Sequence, residues 1–140
     1  MQRWITLACL LPALLAGCAG VPPGASRCPA SLGPPMLLFQ VFFGRSATGR
    51  GEVSEKEWSD FVDRVITQRL PNGYTIIGVT GGWMNPDNHG TVRERSKLLL
   101  AALPENSESV GVINQIRNEY QVQFRQQRVG MTVGQVCGSF

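Results

Sequence analysis

Met36-Leu37-Leu38-Phe39-Gln40-Val41-Phe42-Phe43, closed by Gly44, is an apolar run of strand length. Alternation places Phe39, Val41 and Phe43 on one face and Leu38, Gln40 and Phe42 on the other. The run is rich on both faces, so a layer packed on one side leaves the other to be covered. A two-fold pairing of two copies is the simplest cover for such a face, and a homodimer is therefore expected.

Towards the C-terminus the pattern changes period. Arg45 to Gly51 reads as a loop. Ser54 followed by Glu57 forms a capping box, so a helix begins there. Trp58, Phe61, Val62, Val65 and Ile66 recur at helical spacing as one buried stripe, and Pro71-Asn72-Gly73 ends it in a turn. Tyr74 to Val79 predicts a second strand, running on to Trp83 through Gly81 and Gly82. Asn85 to Gly90 is dense in turn formers and closes a hairpin onto a third strand, Thr91 to Leu103, which Pro104 stops. A second helix starts at Ser107 or Ser109, with Ile113, Ile116, Tyr120 and Phe124 inward. Val129, Met131 and Val133 then alternate along a last strand that ends near Cys137. Strand, helix, strand, strand, helix, strand is the split βαβ order of ferredoxin-like α+β domains: one four-stranded antiparallel sheet with two helices on one face, here over residues 36–140.

Upstream, residues 18–35 hold five prolines among small residues and read as an extended tether. Before it, Leu15-Ala16-Gly17-Cys18 resembles the lipobox of bacterial lipoprotein precursors. Residues 1–17 then form the signal peptide, with Arg3 as its only charge and an apolar core from Trp4 to Leu15. That core is shorter than the roughly 20 residues a membrane-spanning helix needs. Cleavage at Ala19 or Gly20 would instead release a soluble periplasmic protein. The cysteine at the position the lipobox requires favours a lipid on Cys18, which makes the membrane a partner. Ala19 rather than aspartate implies, by the same resemblance, the outer membrane facing the periplasm.

Cysteine usage follows. Cys9 leaves with the signal and Cys18 carries lipid, so Cys28 and Cys137 remain for a disulfide. The ferredoxin-like order makes the first and last strands antiparallel neighbours, which brings these two cysteines together. Twelve basic residues against ten acidic remain after residue 17, too near neutral for a nucleic-acid partner. His89 is the only histidine, so no metal site and no cofactor are expected.

Gly44 to Gly51 follows a strand, but Arg50 and Gly51 stand where a phosphate-binding loop needs Lys then Ser or Thr. No G-x-S-x-G elbow occurs. His89 sits in a polar turn, and Glu57 is already used by capping, so no catalytic residue is assigned. Arg93, Arg95 and Lys97 share one face of a strand as a cationic row at roughly 7 Å spacing. Like charges in a row require carboxylate partners or an anionic ligand. Two readings stand: a solvated edge laced with ion pairs, or a site for a small anionic ligand built from Arg45, Trp83, Arg93, Arg95 and Lys97.

Phe43-Gly44-Arg45, Val53-Ser54-Glu55-Lys56-Glu57-Trp58 with Phe61, Arg69-Leu70-Pro71-Asn72-Gly73, Gly82-Trp83, and Val92-Arg93-Glu94 with Ser96-Lys97 together resemble domain of unknown function family 3574. The likeness implies a small bacterial envelope lipoprotein and carries no mechanism. The functional expectation is a membrane-tethered binding module, for a small polar or anionic ligand or for an envelope protein, without a reaction of its own. The alternatives are a cofactor-free enzyme working in a cleft between paired sheets, and a purely structural subunit.

Overall fold

The computed structural model describes residues 28–47 and 49–140. The signal peptide, Cys18 and the tether as far as residue 27 lie outside them.

Six strands and two helical segments follow in order: β1 (Pro35–Gly44), β2 (Ser46–Ala47), β3 (Gly51–Glu52), α1 (Glu55–Phe61), β4 (Thr75–Met84), β5 (Thr91–Pro104), α3 (Ser107–Phe124) and β6 (Gly130–Cys137), α1 running through a π-turn (Val62–Ile66) into a last turn, α2 (Thr67–Arg69). The main sheet has the order β4-β5-β1-β6, and every pairing is antiparallel. This is the ferredoxin-like arrangement predicted from the sequence. The expected loop after β1 is a small hairpin instead, with Ser46 paired to Glu52 and Ala47 to Gly51. The π-turn has no signature in the residue pattern.

The helices begin where their caps place them. Ser54 accepts from the Glu57 backbone N–H while the Glu57 carboxylate accepts from the Ser54 N–H, a complete capping box. Asn106 caps α3 by accepting from the Ser109 N–H. Phe39, Val41 and Phe43 of β1 are fully buried under the helices, with Phe61, Ile66, Ile113, Ile116, Tyr120 and Phe124 above them. Phe43 is the hub, its ring centroid lying 5.3 Å from Trp58 and 4.8 Å from Tyr120. Such tilted and edge-on aromatic pairs contribute about 0.5–1.5 kcal/mol each beyond the area they bury. The Tyr120 hydroxyl donates to the Gly44 carbonyl at 2.9 Å, which ties α3 to the end of β1.

At the other end of β1, Pro35 pairs with Cys137. The disulfide Cys28–Cys137 closes there with a Cα separation of 5.5 Å. The segment before β1 is therefore held against β6 from Cys28 onward, through a single 3-10 turn, Ala30–Leu32. Among the described residues no helix is long and apolar enough to cross a membrane.

Candidate functional site

Strand alternation decides where each candidate residue falls. In β5, Arg93, Arg95 and Lys97 share the helix-side face with Leu99 and Ala101. In register with them across β4 lie Gly82, Thr80 and Gly78. Trp83 pairs with Val92 instead, so its indole belongs to the opposite, open face of the sheet, with Glu94 and Ser96. The cationic row and the tryptophan stand on opposite sides of the same hairpin. The structure brings Arg45, Arg95 and Lys97 together and leaves Trp83 apart from them. One step of register is the whole cause.

Arg45 immediately follows β1, and its side chain is buried. Its Nε and Nη2 donate to the Val53 carbonyl at 2.9 and 2.6 Å, and its Nη1 donates to Glu55. Glu52 lies 3.2 Å from the same guanidinium. The backbone repeats the tie, because the Arg45 N–H donates to the Arg95 carbonyl at 3.1 Å and the Val53 N–H to the Arg45 carbonyl at 2.8 Å. Glu52 also pairs with Arg95, and Glu55 takes Lys97 Nζ at 2.8 Å. The result is an alternating row, Arg95, Glu52, Arg45, Glu55, Lys97, that fastens the β2–β3 hairpin and the start of α1 onto the sheet.

The charges respond as this row requires. The hydrogen bond from Arg95 holds the Glu52 carboxyl below its ordinary range, and that from Lys97 does the same for Glu55. Glu57 is lowered to about 2, first by the Ser54 backbone N–H and then by Arg50. Burial pushes the Tyr120 phenol well up, so it stays a neutral donor to Gly44. A polar cavity of about 280 Å³ borders the row, lined by Arg45, Glu55, Arg95 and Lys97 together with Gly78 and Thr80. Arg93 is exposed and has no ion-pair partner among the described residues.

The row is thus mostly neutralised from within: three cations share two carboxylates. The sequence pattern singled out the cations without their partners. The available signal was the pair of acidic residues within ten positions of Arg45, Glu52 and Glu55, neither of which the capping box of Ser54 and Glu57 uses. No cluster of metal-ligating side chains occurs among the described residues. His89 stands in the hairpin turn, exposed, with a left-handed φ of 55°.

The open face is of a different kind. Leu38 and Phe42 of β1, Ile77 and Trp83 of β4, and Leu98 and Leu100 of β5 lie on it. Phe42, Ile77 and Trp83 are 39%, 42% and 50% exposed. At the disulfide end it deepens into an apolar groove of about 880 Å³ bordered by Met36, Leu38, Leu100, Ala102 and Pro104. Towards the other end Glu94 crosses Gly44, where a Cβ would come within 2.7 Å of its carboxylate. A side chain at position 44 would have to push that flexible carboxylate aside.

Comparison with curated proteins gives no match. Among solved structures, a phage SAM lyase in complex with S-methyl-5'-thioadenosine is similar at a TM-score of 0.53 and 14% identity, over 74% of this chain and 90% of that one. A phage SAM lyase in the apo state is 14% identical over 76% and 92%, with a TM-score of 0.49. At that identity the first likeness is one of fold. Residues 39–140 match the family described as "Protein of unknown function (DUF3574)", and the chain belongs to that family.

Proposed function

We propose that this chain is a small bacterial envelope lipoprotein, held to the outer membrane by lipid on Cys18, whose domain is a non-catalytic binding module for another envelope protein. The observation that carries the choice of partner is the contrast between the two candidate surfaces. Of the four cations that would greet a small anion, Arg45, Arg95 and Lys97 are already paired with Glu52 and Glu55, which leaves Arg93 alone on the surface. The open face instead presents large apolar side chains that a flat protein surface would desolvate. Burying them contributes about 25 cal/mol per Å² of apolar surface removed from water. A photo-crosslinking residue at Phe42 in living cells tests this, with one at Asp63 on the helix side as control. One discrete envelope protein captured from position 42 alone supports the reading. Capture of nothing, or of the same species from both positions, defeats it. Intact mass of the membrane-extracted protein should show acyl groups on Cys18.

A second reading has one observation in its favour, the shared fold with a phage SAM lyase in complex with S-methyl-5'-thioadenosine. It makes the chain a cofactor-free enzyme, with the cavity beside Arg45, Glu55 and Lys97 as its polar site. Calorimetric titration with S-methyl-5'-thioadenosine, together with an assay for SAM consumption, decides it. Heat of binding that disappears in Lys97→Ala would move the chain to this reading.

A further inference from the structure

We infer that two copies of this chain pair edge to edge through β4, antiparallel about a two-fold axis, to make one continuous eight-stranded sheet. The inference is independent of what the open face binds.

β4 is the outer strand of the sheet, and all ten of its residues pair with β5 on one side only. Long free edges are normally guarded by a charge, a proline, a bulge or brevity. Thr75–Met84, TIIGVTGGWM, has no charged residue and no proline, and its register with β5 is unbroken from Thr75↔Leu100 to Met84↔Thr91. None of the usual guards is present.

The hydrogen-bond phase shows which groups face outward. The Asn85 N–H donates to the Gly90 carbonyl at 2.8 Å, just past the last pair of the ladder. Counting back by twos, Trp83, Gly81, Val79 and Ile77 bond to β5, while Gly82, Thr80, Gly78 and Ile76 direct their N–H and C=O away from it. A second bond gives the same phase: Arg45 binds the Arg95 carbonyl, so Arg95 turns towards β1 and its partner Thr80 turns outward. The same phase turns Met84 outward, and two of these five positions are glycines. A Cβ built on Gly78 would meet nothing within 4 Å, and one on Gly82 only the Val92 carbonyl at 3.6 Å. Glycine in a strand suits the close approach of another backbone.

The occupant that fits is a second copy. An uncharged strand meets no like charge when it lies beside itself, and a two-fold axis makes one self-complementary edge sufficient. The two cationic rows on β5 would lie three strand spacings apart, about 14 Å. That exceeds the ~8 Å screening length at physiological salt, so they do not oppose pairing. The opposite edge, β6, is shorter and ends in the disulfide at Cys137. Edge pairing leaves the open face uncovered and extends it across both copies, so it differs from the face-to-face homodimer expected from the alternation in β1.

The test uses the exported Cys18→Ser chain, lipid-free, in light scattering at high micromolar concentration. The wild-type sequence should be a dimer. Thr80→Pro removes an outward N–H and should give a monomer with nearly unchanged melting temperature. Val79→Pro removes a bond to β5 and should lower the melting temperature. Phe42→Ser should remain a dimer. A monomeric wild type, or a dimeric Thr80→Pro, overturns the inference, as does a Phe42→Ser monomer. Should Thr80→Pro fail to fold, amide exchange of the wild-type sequence is decisive. Protection of the Gly78, Thr80 and Gly82 N–H groups that rises with concentration supports edge pairing, and protection independent of concentration refutes it.

Discussion

Arg45 and Arg93 stand on the same side of the sheet, yet one is buried within a network and the other is bare. The difference lies in what passes over each. At Arg45 the β2–β3 hairpin and the first turn of α1 fold back across the sheet, carrying Glu52 and Glu55 into contact. At Arg93 the β4–β5 hairpin has run beyond the last β1 pair, Gly44 with Ser96, and the side chain is exposed. The same residue type thus becomes a brace in the covered half and a surface charge on the arm. A cation's role follows from the layer above it, which is set by elements distant in sequence.

Five measurements test whether the covered half and the arm differ in this way. The largest effect is expected in the covered half: Phe43→Ala should cost about 3–5 kcal/mol in urea unfolding, because its cavity sits at the centre of the aromatic cluster. A loss below about 1 kcal/mol would mean the cluster closes over the gap. Next, replacing Cys28 and Cys137 together by serine should cost about 2–5 kcal/mol, measured the same way against wild-type protein folded under oxidising conditions. Third, Arg45→Met should cost about 1–3 kcal/mol, since the buried Val53 carbonyl loses both guanidinium donors.

Fourth is a dependence on pH. The Glu57 carboxyl is depressed in the folded state, from 4.5 to about 2, and Glu52 and Glu55 are shifted the same way. Groups shifted downward contribute stability that is complete above their unfolded pKa and is lost as pH falls through the folded one. The urea midpoint should therefore be level above about pH 5 and decline from there towards pH 2. Glu57→Gln should make that decline shallower, and an identical slope in this variant would remove Glu57 from the account. Smallest of all, Arg93→Ala and Trp83→Ala on the arm should each change stability by no more than about 0.5 kcal/mol. A larger loss in either would show that the arm is packed in the folded protein.

The residue pattern gave away most of the architecture because the fold depends on periods that are local. Phe39, Val41 and Phe43 alternate, and Ile113, Ile116, Tyr120 and Phe124 recur helically. Each set is buried as its period demands. Cys28 and Cys137 could be paired because the strand order itself brings them together. The site was less legible. Grouping Trp83 with Arg93 in one site overlooks that one residue of register reverses a side chain's face. Arg45 was readable as a cation but not as a buried one, since burial came from a hairpin whose two-residue strands are too short to show a period. The π-turn at Val62–Ile66 was likewise invisible, because Val62, Val65 and Ile66 fit an ordinary helix equally well.

The position of β1 between β5 and β6 has a consequence for how the chain comes into being. A ribosome or an export channel delivers residues from the N-terminus, so β1 emerges early and its β6 neighbour, Gly130–Cys137, emerges after every other strand and helix. At synthesis rates of ~5–20 residues per second, the interval is several seconds. Until β5 arrives both edges of the strand that carries Phe39, Val41 and Phe43 are vacant, one stays vacant until β6 follows, and the thiol at Cys28 waits for a partner 109 positions away. The sheet and the disulfide that locks its edge can therefore be completed only when the last strand has arrived.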